Sequence, residues 1–199
     1  MAAPLNTGIR NKILDAATQL LQTESFEDLS LARIARAASI SKGTLYYYYS
    51  IKDDILFDVA NRYLTGMMDE LLAWVDNPQK DTSLPRLMKY TLARGTADAF
   101  GNLRLYLIGA GVSGHDALRR RYIERYAQFH ETLADRIAQR APGADASYAA
   151  WLLLTVMDGV LVQKRLENPA FAEDAFTAHT MQLLTEWCLH PPADGASKA

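Results

Sequence analysis

The chain is poor in the features that mark most other classes of protein. Its 199 residues include one cysteine, Cys188, so no internal disulfide can staple the fold, and a lone thiol suits a reducing cytosol. Long hydrophobic runs are missing. The longest, Ala149 to Met157, is interrupted at Thr155 and closed by Asp158, far short of the ~18–20 residues of a membrane span. The N-terminus lacks the apolar stretch of a signal peptide. A cytoplasmic protein with no membrane partner is therefore expected. No segment alternates apolar and polar residues over a strand length, with ambiguity only at Leu103–Ile108, and there are no internal repeats. Neither charge is in excess: 21 Lys and Arg face 23 Asp and Glu, a net charge of −2, which argues against indiscriminate polyanion binding.

What is present is helical periodicity. A hydrophobic fraction of 49% suffices for one large domain, or a small domain joined to a larger one. Ile9, Ile13, Leu14, Ala17, Leu20 and Leu21 recur at three- and four-residue spacing and predict an amphipathic helix from about Leu5 to Thr23. Ser30 caps a second helix with Leu31, Ile34 and Ala35 inward, and Ser41 caps a third with Leu45 and Tyr49 inward. Ser50 or Lys52 opens a long fourth helix, carried by Ile55, Leu56, Val59, Tyr63, Met67, Leu71 and Val75 and ended by Asn77-Pro78. Five more follow, at about Leu84–Phe100, Leu103–Gly109, Asp116–Arg140, Ala146–Glu167 and Ala172–Leu189. The fold class is all-α with about nine helices. Residues 1–50 form a three-helix unit, 51–190 a larger helical bundle, and 191–199 a flexible tail.

Residues 30–52 say most about function. Two short helical patterns flank a break at Ala38–Ile40, and the second carries Lys42, Gly43 and four consecutive tyrosines, Tyr46 to Tyr49. This is the pattern of a helix-turn-helix. Ala35 leaves room where the helices cross, Ile40 plugs the small core, and Leu45 points inward so that the rest of its helix faces a DNA groove. Successive helical residues point about 100° apart, so the four tyrosines cannot all be buried. Tyr49 is assigned to the core and Tyr46, Tyr47 and Tyr48 to the groove. Tyrosine hydroxyls can bond phosphates or base edges, Gly43 lets the backbone approach, and Lys42 can neutralise a phosphate. Ser30, Arg33, Ser41 and Thr44 line the same face, and Lys52 stands at a helix start that favours a phosphate. The first 60 residues hold six basic side chains (Arg10, Lys12, Arg33, Arg36, Lys42, Lys52) against seven acidic ones, so this footprint arises from placement and not from excess.

The series Ile13-Leu14-Asp15-Ala16-Ala17, Phe26, Ser30, Ile34-Ala35, Ser41-Lys42-Gly43-Thr44-Leu45-Tyr46 and Lys52 resembles the N-terminal signature of the tetracycline-repressor (TetR) family over about Arg10 to Leu56. The resemblance implies an all-α homodimer with a ligand-binding bundle. It also implies a double-stranded palindromic operator, released when a small-molecule effector binds. A ligand-responsive transcriptional regulator, expected to be a repressor, follows from it. The family usually has glycine at the positions of Ser39 and Ser25, and often histidine at that of Tyr48. If either serine needs a positive φ, it costs on the order of 1 kcal/mol relative to glycine.

In the bundle, Tyr63, Met67, Leu71, Tyr90, Arg94, Tyr106 and Tyr126 are the candidate effector contacts. They suit an apolar or aromatic molecule, with Arg94 or Arg104 available to an anionic group, although most such side chains are core packing in any helical protein. The stretch from Trp151 to Val162 is apolar nearly all round, so a partner chain is expected to cover one side. Trp151, Thr155, Asp158, Gly159 and Val162 are the candidate dimer contacts, and the resemblance places the interface in the last two helices.

Other motifs carry less. Gly109, Gly111 and Gly114 satisfy G-x-G-x-x-G, but the region about twenty residues on is helical, which disfavours a dinucleotide fold; a flexible connection between helices is expected there. Ser113, His115 and Asp116 are adjacent without a nucleophile elbow. The four histidines are not paired at i, i+4. Neither an enzyme, a cofactor nor a metal site is expected. Arg119, Arg120 and Arg121 point three ways on a helix and read as a solvated face. The alternative for the whole chain is a helical small-molecule-binding protein or enzyme whose N-terminal domain no longer binds DNA.

Overall fold

The computed structural model describes residues 7–75, 77, 79–96 and 100–191. Among them the chain forms nine α-helices and no strand: α1 (Thr7–Leu20), α2 (Leu31–Ala37), α3 (Lys42–Tyr48), α4 (Lys52–Val75), α5 (Leu84–Thr96), α6 (Gly101–Val112), α7 (Asp116–Ala138), α8 (Ala146–Arg165) and α9 (Glu173–Leu189). The all-α expectation holds. Pro78, the end of the expected α5 before Phe100, and the expected tail after Pro191 lie outside the described residues.

Two compact units result. The first runs up to Gly66 and adds Leu103–Leu118; the second comprises Met67–Asn102 and the chain from Arg119 onward. The division expected at residue 50 thus differs from the one the contacts make. Helices α1, α2 and α3 are too short to close a core by themselves, and α4 completes it. Ile13, Leu14 and Ala17 of α1, Ile34 and Ala35 of α2, and Leu45 of α3 are buried together with Ile55, Leu56, Val59 and Ala60 of α4. Ile40, expected as a plug, is only half-buried.

Helix ends show how the sequence sets the turns. After α2, Ser39 has φ 54°, the Ile40 N–H donates to Ala35 O at 3.0 Å and the Ser39 N–H to Arg36 O at 3.1 Å. This is a Schellman end, which places its outer residue in the left-handed region. The same pair of bonds recurs after α8 with Glu167 at φ 50°. After α6 the left-handed residue is Gly114, at φ 116°, with the His115 N–H on Ala110 O at 3.0 Å. So the glycine-rich motif is not the flexible connection expected. Gly109 and Gly111 are helical, and Gly114 lies in the turn just past the end of α6. Ser25, the other serine where glycine was expected, has no positive φ. Replacing Ser39 by glycine should raise stability by up to about 1 kcal/mol, because only glycine enters this region without a side-chain penalty. Urea titration of the two chains measures it, and a lower midpoint for the glycine variant would contradict it.

In the second unit Leu84, Leu87, Met88 and Leu92 of α5 are buried with Leu133 and Ile137 of α7, Leu153 and Leu154 of α8, and Leu184 and Cys188 of α9. Arg140 donates to Val75 O, Thr82 O and Arg136 O, supplying a partner for a carbonyl at the end of α4. Helix α8 is long and apolar enough to cross a bilayer by length and composition alone. Here Ala149, Ala150, Leu153 and Leu154 on one side of it belong to the protein core.

Candidate DNA-reading helix and bundle sites

Helix α3 is fixed at its start by its cap. Ser41 Oγ accepts from the Thr44 N–H at 3.0 Å and lies 2.8 Å from Thr44 Oγ1. Ser30 caps α2 in the same way, accepting from the Arg33 N–H at 3.3 Å. Leu45 is the buried residue of α3, at 0% exposure, and Tyr49, its C-cap, is 6% exposed. The opposite face is open. Tyr46 and Tyr47 are 56% and 55% exposed, Lys42 and Gly43 are exposed, and Tyr48 is half-buried with its ring edge-on to Tyr47 at 5.4 Å. Two large amphipathic rings in water beside a lysine and a bare backbone position form a surface for phosphates and base edges. A β-carbon on Gly43 would meet only Ser41 Oγ, at 3.7 Å, so nothing within the fold requires glycine there.

Two of the expected phosphate contacts are already engaged. Lys52 Nζ donates to Phe26 O at 3.0 Å and Glu27 O at 3.2 Å, tying the start of α4 to the α1–α2 loop. An ammonium has three donors, so at most one remains for DNA, and the principal role of Lys52 here is to hold the loop. Arg33 forms an ion pair with Glu24 and would have to leave it to reach a phosphate.

The sequence reading missed the polar cluster behind α3. The Tyr49 hydroxyl donates to Asp58 Oδ2 at 2.6 Å and accepts from Arg10 Nε at 3.0 Å, while Arg10 Nη2 reaches the same carboxylate at 2.6 Å. Asp58 is 6% exposed. Burial, followed by the hydrogen bond to the Asp58 carboxylate, pushes the Tyr49 hydroxyl up to about 12, which keeps it a donor. The side-chain hydrogen bond to Asp58 is the largest cause raising Arg10 above its usual range.

The effector candidates divide. Tyr63 and Tyr106 belong to the first unit, and Met67, Leu71, Tyr90, Arg94 and Tyr126 to the second. Tyr106 was expected in the bundle. Instead its ring lies 4.8 Å from that of Phe26 and its hydroxyl, raised by burial and then by Asp53, donates to the Asp53 carboxylate at 3.4 Å. Arg104 is likewise a buried residue of the first unit. Leu71 is core, which is the ordinary role of a buried leucine. Tyr90 stacks on Trp74 at 4.4 Å, and Arg94 pairs with Glu70. Tyr90 lines an open groove of about 550 Å³ with Trp74, Arg86 and Lys89. Tyr126 donates to Asp158, and its ring centroid is 6.4 Å from that of the buried Tyr122. Asp158, expected at a dimer interface, therefore has a partner within its own chain.

The other four dimer candidates share one exposed stripe. Trp151, Thr155, Gly159 and Val162 recur at spacings of four, four and three along α8, and all are exposed. On α9, which packs against α8, Leu183 is 68% and Phe176 42% exposed. A β-carbon on Gly159 would meet nothing within 4 Å.

Comparison with known proteins adds to this geometry. Residues 13–59 match the family described as "Bacterial regulatory proteins, tetR family", and residues 108–189 match "BetI-type transcriptional repressor, C-terminal". The HTH-type transcriptional regulator BetI of Serratia proteamaculans is 24% identical over 88% of this chain and 90% of its own length. Among solved structures, a TetR transcription regulator from Haloarcula marismortui superposes with a TM-score of 0.70 at 18% identity, covering 91% of this chain and 98% of its own. A transcriptional regulator from Saccharomonospora viridis in complex with choline gives 0.67 at 18% identity, covering 94% and 98%.

Proposed function

The chain belongs to the TetR family of bacterial transcriptional regulators, and from that membership we propose that it is a homodimeric, ligand-responsive repressor that reads a palindromic operator through α3 and works in the cytoplasm, without a catalytic step. The observation that carries this is the two-sidedness of α3: Leu45 and Tyr49 are buried, while Lys42, Gly43, Tyr46 and Tyr47 face solvent. Two-fold symmetry places the half-sites about one helical turn, or slightly more, apart. The α8–α9 stripe is the surface on which two copies meet. A small molecule with apolar or aromatic surface, bound in the bundle, moves α4, changes the separation of the two α3 helices and releases the operator. Choline is the first effector to try. The S. viridis regulator holds it, and Tyr122, Tyr126 and Asp158 bring two rings and a carboxylate together, a combination suited to a quaternary ammonium.

The test is fluorescence anisotropy of the full chain on the DNA upstream of its own reading frame, across a salt series. Each neutralised phosphate contributes about −0.9 to the slope of log affinity against log salt. Lys42→Ala is expected to weaken binding to all sequences alike and to flatten that slope by about one unit. Unchanged affinity and slope would remove Lys42 from the interface. No binding at low salt by a folded chain would favour the alternative of a helical protein that binds small molecules and not DNA.

A further inference from the structure

Tyr49 is buried behind α3, yet its hydroxyl is bonded to two other helices at once, donating to Asp58 and accepting from Arg10. Helix α3 has seven residues, about 10 Å of length, and a single fully buried side chain of its own, Leu45. One apolar contact fixes where such a helix sits but not how it is turned, because hydrophobic burial has no direction. The serine cap orients the N-terminal end. At the other end the chain leaves the helix at Tyr49, with φ −141° and ψ 116°. There the Tyr49 hydroxyl donates to Asp58 of α4 at 2.6 Å and accepts from Arg10 of α1 at 3.0 Å, and a third bond of 2.6 Å joins Arg10 to Asp58 and closes the cluster. Hydrogen bonds weaken steeply with angle, so this cluster supplies the rotational setting that Leu45 cannot.

We propose that Tyr49, clasped by Arg10 and Asp58, is a positioning residue for sequence discrimination: it sets the angle at which Tyr46, Tyr47 and Tyr48 meet base edges, without touching DNA. This rests on α3 being the reading helix. Contacts to base edges depend on that angle, whereas a long lysine side chain can follow a phosphate through a small rotation. Loss of the hydroxyl should therefore reduce operator preference and leave the salt-dependent, sequence-independent part of binding unchanged.

Tyr49→Phe tests this with little risk to the fold. The ring keeps its volume, and the direct Arg10–Asp58 bond keeps the buried carboxylate paired. Arg10→Lys is the second variant. It keeps the charge on a half-exposed side chain but replaces the planar guanidinium fork by a shorter, freely rotating ammonium that fixes no direction for the Tyr49 hydroxyl. For both, the ratio of operator affinity to affinity for scrambled DNA is expected to fall about tenfold, the size of one lost base contact. The affinity for scrambled DNA and its salt slope should stay close to those of the unaltered chain when measured well below the thermal midpoint, which the loss of a bond to a buried carboxylate lowers by a few degrees. An unchanged ratio in both variants overturns the positioning role while leaving the DNA reading intact. A parallel fall in specific and nonspecific binding also overturns it, by reducing Tyr49 to a structural part of the domain. Absence of binding by the unaltered chain to any DNA removes both readings.

Discussion

Leu45→Ala is expected to destabilise the N-terminal unit by about 3 kcal/mol and to abolish operator binding at temperatures where the unaltered chain still binds. Truncating a fully buried leucine costs about 2–5 kcal/mol, the larger values where the cavity cannot collapse. Leu45 is at 0% exposure, as are Ile13, Ile34, Ile55 and Leu56 of the same unit. Branched side chains on four elements leave little scope for collapse. The seven-residue α3 has no stability of its own, since isolated helices shorter than about 12–15 residues are marginal in water even in favourable sequences. What holds it is its packing and its two anchored ends. The variant should melt in two steps, with the N-terminal unit lost first, as followed by circular dichroism and near-ultraviolet tyrosine signals. A single transition at the unaltered temperature, with operator binding retained, would show that α3 does not depend on Leu45.

Gly159→Arg is the second large effect, and it separates assembly from folding. Gly159 is exposed on α8 and open space surrounds its missing β-carbon, so arginine meets no obstacle within the chain. Within a helix the exchange even favours the monomer, because glycine is about 1 kcal/mol worse than arginine in a helix interior. If the stripe of Trp151, Thr155, Gly159 and Val162 is the meeting surface of two copies, the same arginine places a bulky charge at a close approach on both sides of the two-fold axis. The expected result is a folded monomer by light scattering at micromolar concentration, with unaltered helical signal. Operator affinity should fall at least about 100-fold, since linking two reading heads contributes 10²–10⁴ over one. A dimer of undiminished affinity would move the interface elsewhere.

How much of this could be read from the residues depends on how far apart the partners lie. The cap serines, the inward Leu45 and Tyr49, and the outward Tyr46 and Tyr47 follow from spacing within a few residues, and the structure has them so. The possible positive φ of Ser39 could also be anticipated, because a Schellman end is a local event. Tyr49's hydroxyl could not: its partners are nine and 39 residues away, and neither periodicity nor charge count pairs positions 10, 49 and 58. The loop-holding bonds of Lys52 are illegible for the same reason, their carbonyl partners lying 26 and 25 residues upstream. Tyr106 was assigned by its neighbours in sequence, and the chain carries Leu103–Leu118 back to the first unit. The effector contacts were the least legible part of the site, since an aromatic residue on a bundle helix has the same pattern whether it packs a core or lines a cavity.

Ser39 and Glu167 have a meaning beyond their own turns. Of the three Schellman ends after α2, α6 and α8, only the one at Gly114 has the residue that the backbone favours. The other two forgo about 1 kcal/mol each, which glycine would restore. Neither position is among those assigned to DNA or effector contact, so the restoration would touch no contact proposed above. A protein that leaves about 2 kcal/mol unclaimed at two such positions, in a class where total stability is about 5–15 kcal/mol, has been selected to a threshold and not to an optimum. That margin makes this chain a tolerant starting point for changing what α3 reads. Substitutions among Tyr46, Tyr47 and Tyr48 that weaken the N-terminal unit can be offset in advance at Ser39, which lies in the same unit, and the change in recognition then observed without a loss of fold to confuse it.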